Sequence, residues 1–210
     1  PEEGAVNLSQ HRGDDYEPAW SPDGSLIAFT NKGAFGTEVK QLYFMNWDGS
    51  DIRRVSYDYE EYSSTWSADQ TYLAYVISAS GRKILYLRQA TDGYSSPIKF
   101  DTREILGRLG DVANPAWSPD NELLAYTRLE GYSKRIFLTR FSDRGNRITG
   151  LTDGGKDYDP AWSPDTQWIL FTSERDGNPE IYIMNASGAL QSNLTLSGSK
   201  DMMPAWQPVP

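Results

Sequence analysis

Cysteine is absent from the 210 residues and histidine occurs once, at His11. The first absence excludes disulfides, thiolate metal sites and a cysteine nucleophile, and it leaves the redox compartment open. His11 precedes the polar run Arg12-Gly13-Asp14, where a loop histidine is ordinarily solvated. No Gly-x-Ser-x-Gly elbow and no glycine-rich phosphate loop with a following lysine occur, so a catalytic triad, a histidine metal centre or nucleotide chemistry has no residues to build on. No apolar run reaches the roughly 18 residues that suggest a membrane span. Basic residues are also short: 20 Lys and Arg stand against 29 Asp and Glu, giving a net charge of -9. Without a basic cluster, that balance disfavours nucleic acid and anionic membrane as partners. The sequence opens at Pro1 without a charged and apolar leader, so a signal peptide is expected to be absent or already removed.

What the sequence has in quantity is a repeat. Pro18-Ala19-Trp20-Ser21-Pro22-Asp23 returns as Ser64-Thr65-Trp66-Ser67-Ala68-Asp69, Pro115-Ala116-Trp117-Ser118-Pro119-Asp120, Pro160-Ala161-Trp162-Ser163-Pro164-Asp165 and Pro204-Ala205-Trp206-Gln207-Pro208. The tryptophans are 46, 51, 45 and 44 residues apart, about the period of a four-stranded propeller blade. Within the fourth repeat, Pro160–Ser163, Trp168–Thr172, Glu180–Asn185 and Ser192–Thr195 read as strands, separated by turns at Pro164-Asp165, Gly177 and Gly188. The order recurs at Leu26–Thr30, Gln41–Asn46 and Ile52–Val55, at Tyr72–Ile77 and Lys83–Arg88, and at Leu123–Thr127 and Arg135–Arg140. One such meander cannot bury either face, so the units must stack, and the expected fold is an all-β propeller of four-stranded antiparallel blades occupying residues 1–210. Tryptophans at fixed period then belong between blades, and Trp20, Trp117 and Trp162 are expected to be buried there.

The run Pro-Ala-Trp-Ser-Pro-Asp, followed by Ile27–Thr30, Ile181–Asn185 and Asn193-Leu194-Thr195, resembles the TolB-type propeller repeat, a relative of WD repeats, over nearly the whole chain. The second repeat departs from it at Ser64, Thr65 and Ala68. The resemblance implies a binding scaffold, usually of periplasmic or secreted proteins. Related blades also occur in the gating domains of some serine peptidases and in some polysaccharide lyases.

Four repeats are complete, while Ala5–Ser9 matches an isolated outer strand and Pro204–Gln207 an isolated inner strand. Outer and inner strands of one blade lie about three 4.8 Å spacings apart and cannot pair without the two between them. The expectation is therefore a section of a larger propeller. A strand-completing chain, self-association or tight closure of four blades are the alternatives.

Connections from each outer strand to the next inner strand emerge on one side, and here they are acidic and aromatic. Five positions before each Trp stand Asp15, Glu61, Asp157 and Asp201, with Val112 breaking the series; Glu17 and Asp159 lie in the same runs. Such residues either cap turns and solvate loops, or form an acidic rim that attracts a basic partner or a hard cation. The longest departure from the period, Asp101–Asp111, sets Arg103 and Arg108 beside Ile105, Leu106 and Leu109, suiting either a protein contact or a plain surface insertion. Arg12-Gly13-Asp14 and the glycosylation-type triplets beginning at Asn7, Asn185 and Asn193 are too short to decide anything. The reading is a non-enzymatic propeller scaffold, without cofactor or metal, that binds a protein through its acidic loop face. The rivals are a substrate-gating part of a larger enzyme and a small-ligand or cation site at the channel mouth.

Overall fold

Runs of β-branched and aromatic residues between Pro, Asp and Gly turns fold as strands throughout the computed structural model, which describes residues 4–33, 38–55, 59–89, 111–142 and 147–207. Blade 1 comprises β1 (Asp14–Trp20), β2 (Leu26–Lys32), β3 (Gln41–Asn46) and β4 (Arg53–Arg54). Blade 2 comprises β5 (Glu60–Trp66), β6 (Tyr72–Ala79) and β7 (Arg82–Gln89); the fourth strand expected of this repeat, with Arg103 and Arg108, lies outside the described residues. Blade 3 comprises β8 (Asp111–Trp117), β9 (Leu123–Glu130), β10 (Ser133–Arg140) and β11 (Ile148–Gly150). Blade 4 comprises β12 (Asp157–Trp162), β13 (Trp168–Ser173), β14 (Glu180–Asn185) and β15 (Ser192–Asn193). Each sheet is an antiparallel meander in chain order, and the four form the blades of a β-propeller.

The Ser-x-Asp step after each Trp is a hydrogen-bonded corner. The hydroxyls of Ser21, Ser67, Ser118 and Ser163 each accept the N–H five residues on, at 2.9 Å, and donate to the Asp two residues on. One hydroxyl thereby joins the end of the inner strand to the start of the second. Hydrogen bonds from Ser21 and Ser25 hold the Asp23 carboxyl down at about 2, so this corner keeps its charged acceptor into strong acid.

The core lies between blades. Ala28, Leu42 and Phe44 of blade 1 pack against Trp66, Leu73 and Tyr75 of blade 2. Val76, Leu85 and Leu87 of blade 2 meet Val112, Trp117 and Tyr126 of blade 3. Ala125, Ile136 and Leu151 of blade 3 meet Trp162, Ile169, Phe171 and Met184 of blade 4. Each indole also reaches back to the preceding inner strand: the Nε1–H of Trp66 donates to Ala19 O at 3.1 Å, and that of Trp162 to Ala116 O at 3.1 Å. Trp117 packs in the same place, one blade after the divergent Ser64-Thr65, but its N–H meets no acceptor among the described residues.

Trp20 corrects the sequence expectation. It is 56% exposed, whereas Trp66, Trp117 and Trp162 are each 7% exposed. The indole seats on the blade before its own, and among the described residues blades 4 and 1 make no extended contact, while consecutive blades do. The flanking segments occupy their expected places through side chains, without strand pairing. Leu8 joins Ile27, Phe29, Tyr43 and Met45 on the free face of blade 1. Trp206 donates to Ala161 O at 2.9 Å on blade 4.

Truncating Trp117 to Ala is therefore expected to destabilise the fold by about 3–5 kcal/mol, and Trp20→Ala by less than about 1 kcal/mol. Urea unfolding of the two variants checks this; equal losses would contradict the placement of Trp20.

Candidate functional site at the propeller mouth

Every inner strand is broken at the same point. Register shifts separate Tyr16 from Ala19, Tyr62 from Thr65, Ala113 from Ala116 and Tyr158 from Ala161. At each break the residue three before the Trp adopts a left-handed backbone: Glu17, Ser63, Asn114 and Asp159 have φ of 53°, 56°, 48° and 54°, and Met203 has 55° in the segment that carries Trp206. Bulges of this kind re-aim side chains, and the conformation is uncommon for residues other than Gly, Asn and Asp. Each inner strand thus re-aims one side chain at its break.

The acids five before Trp stand in different surroundings. Asp157 is 0% exposed, and its Oδ1 accepts from Ser173 Oγ at 2.6 Å and Arg175 Nη2 at 3.0 Å. Asp15 is exposed; its Oδ1 accepts from Asn31 Nδ2 at 2.7 Å and its Oδ2 from Ser9 Oγ. Glu61 is buried, with its N–H donating to Lys40 O at 3.0 Å. Asp201 is half-buried and its N–H donates to Pro179 O at 2.8 Å.

Glu17 and Asp159 are placed differently. The exposed Glu17 reaches across the blade boundary, where its Oε2 accepts from Ser63 N at 2.8 Å and from Thr30 Oγ1 at 3.3 Å. Asp159 is half-buried; burial pushes its carboxyl above the ordinary range, Lys134 opposes the shift and the charge of Glu17 adds to it. The two carboxylates therefore share a field although they stand on blades 1 and 4.

Sequence reasoning missed the lysines between these acids. Lys40 Nζ sits over the rings of Tyr16 and Tyr62, 5.3 and 5.0 Å from the centroids, and Lys134 Nζ lies 3.9 Å from that of Tyr158. The signal was present: Lys40, Lys83 and Lys134 each stand three residues before an aromatic of the third strand, Tyr43, Tyr86 and Phe137. The mouth thus alternates charge and aromatic surface. Burial, then hydrogen bonding to Glu174, pushes the Tyr158 hydroxyl up to about 12, so it remains a neutral donor. Among the described residues no three Asp, Glu or His side chains gather as a metal-binding group. His11 packs edge-on to Tyr43, with ring centroids 5.8 Å apart.

Antiparallel meanders packed face to face define the protein as a β-propeller. The family model of the TolB beta propeller domain (PD40) matches residues 63–209, and the chain belongs to that family. An uncharacterized protein of Agrobacterium fabrum is 25% identical over 138 residues, 59% of this chain and 43% of that protein. The putative TolB of Agrobacterium tumefaciens superposes with a TM-score of 0.79 at 23% identity, covering 94% of this chain and 67% of that one. TolB of Acinetobacter baumannii gives 0.73 at 20% identity, covering 93% and 46%. The chain thus spans less than half of the curated relative and of the Acinetobacter protein. The tricorn protease is a more distant likeness of fold, at 16% identity with a TM-score of 0.68, 94% of this chain covering 20% of that one.

Two outcomes are expected of the site. Asp159 binds its proton more readily folded than unfolded, so its contribution to stability is present at low pH and is lost as pH rises through its raised folded value. Asp159→Asn should accordingly gain stability relative to wild type between about pH 3 and pH 7 in urea titrations; a constant offset would mean a solvated carboxylate. Arg175→Ala, which strips a buried carboxylate of its cation, should cost about 3–5 kcal/mol, and adding Asp157→Asn should recover much of it. Strictly additive losses in that double-mutant cycle would show that the two side chains do not interact.

Proposed function

We propose that this chain is a non-enzymatic propeller scaffold that binds a protein partner at its mouth, in the periplasm by its likeness to the TolB family. Glu17 and Asp159 carry this reading. Burial and, behind it, the charge of Glu17 on another blade hold the Asp159 carboxyl above its ordinary range, and a guanidinium or ammonium from a partner offsets both. Asp15, Glu61, Asp157 and Asp201 then act behind them, fixing the loops or adding to the field, and the tyrosine and lysine rim excludes partners that present bare positive charge without an apolar stem. Arg103 and Arg108 supply a second contact of opposite sign in the same proposal. The rival reading, a gating part of a larger enzyme, rests on likeness of fold to distant propellers such as the tricorn protease.

The test is a titration of the protein with an arginine-bearing peptide and its glutamine counterpart, followed by NMR and stopped-flow fluorescence. Only the arginine peptide should bind, with association several-fold slower near 0.15 M salt, where the Debye length is about 8 Å, than at low salt. Glu17→Gln combined with Asp159→Asn should abolish the difference between the peptides in a protein that still melts cooperatively. Equal binding by that double variant would rule out the mouth as the contact.

A further inference from the structure

The break in the acid series at Val112 falls in a row that carries two cations. Strand register sets Val112 directly opposite Arg128 and Arg128 directly opposite Arg135, so the three side chains share one face of blade 3. The same row reads Asp157, Ser173, Glu180 in blade 4, Asp15, Asn31, Gln41 in blade 1 and Glu61, Ile77, Ile84 in blade 2. Three blades place an inner-strand acid in this row. Blade 3 places a valine there and arginines beside it.

Blade 4 shows how a guanidinium is satisfied at this level. Arg175 lies over Phe171 and Tyr182, 5.6 and 4.7 Å from their centroids, and donates to Asp157 Oδ1 at 3.0 Å, Gln191 Oε1 at 2.9 Å and Ser173 Oγ at 2.9 Å. In blade 3 the charges are exchanged. Glu130 stands two residues after Arg128, as Arg175 stands two after Ser173, and it pairs with the Nη2 of both Arg128 and Arg135. The two guanidiniums lie 5.0 and 5.3 Å from the centroid of Phe137, the counterpart of Tyr182.

One carboxylate is thus shared by two cations. Both arginine Nε–H groups are buried without an acceptor among the described residues, and so is the hydroxyl of Tyr126, which is 0% exposed and stacks on Phe137. The charge of Arg128 acts on that hydroxyl, opposing the upward push of burial. Donors left in this way call for an acceptor. The Arg128 and Arg135 side chains keep 15% and 32% exposure, so the row is open to solvent at one end.

We propose that Arg128 and Arg135 bind an external carboxylate, which takes in blade 3 the part that Asp157 takes in blade 4. Guanidinium forks match a planar carboxylate, and the ring of Phe137 fixes the two forks in place. Glu130 competes with the ligand and so sets its affinity. The site selects charge opposite to that selected by Glu17 and Asp159, and it does not rest on the reading of the mouth.

NMR of the arginine Nε–H groups in the full chain tests this, with sodium acetate titrated against sodium chloride at constant ionic strength and neutral pH. The Arg128 and Arg135 resonances should move together along one saturable curve in acetate and stay in place in chloride. Glu130→Gln, which removes the internal competitor, should tighten acetate binding several-fold. Arg135→Gln should weaken it at least about tenfold, a change of about 1.4 kcal/mol. Val112→Asp, which returns the acid of the other blades, should end the response in a protein that still melts cooperatively; if it does not melt so, Glu130→Gln and Arg135→Gln decide. Resonances that move alike in both salts mean an adventitious ion only and overturn the proposal. So do resonances that acetate leaves in place because a carboxylate of the chain already holds them, or an affinity that Arg135→Gln leaves unchanged.

Discussion

The indole that each blade lends to its predecessor is the contact on which the architecture depends. It buries a large ring between sheets, and in Trp66 and Trp162 its N–H also bonds a backbone carbonyl of the neighbouring inner strand, that of Ala19 and of Ala116. Because each of these carbonyls belongs to the residue just before the neighbour's own Trp, an anchor of this kind is also a platform for the next. A meander that could bury neither face alone becomes one layer of a continuous core.

This logic explains what was legible in the sequence and what was not. Strand positions and corners follow from local chemistry: the hydroxyl of Ser163 and the carboxylate of Asp165 close the same corner wherever Ser-x-Asp follows Trp, with or without the proline that Ala68 replaces. Burial of the tryptophans is a property of the neighbour, so one motif yields a buried Trp162 and an exposed Trp20. The left-handed residue three before each Trp was also invisible. Glu17, Ser63, Asn114, Asp159 and Met203 share no one side-chain chemistry, and what the first four share is a place where the inner strand shifts register.

The acidic loops show why counting charges along a sequence overstates a field. Asp157 is matched by Arg175 and Ser173, and lysines from the preceding blade lie over Tyr62 and Tyr158. A carboxylate acts outward only where its own blade leaves it unbalanced. In the proposed reading Glu17 and Asp159 meet that condition, although their positions two residues beyond the periodic acids made them look secondary in the sequence.

The glycine turns between third and fourth strands have a consequence that concerns heredity more than chemistry. At Gly188 the backbone of Leu151, from the previous blade, approaches so closely that no side chain fits, and Gly49 stands in the same relation to Leu8. The glycine and the leucine it admits belong to different sheets, more than a strand apart in the chain. A gene segment cut at sheet boundaries and copied elsewhere would separate lock from key. A cut offset from the sheets keeps the two together, so a glycine and the leucine matched to it travel as one piece only in a frame that differs from the sheets they build.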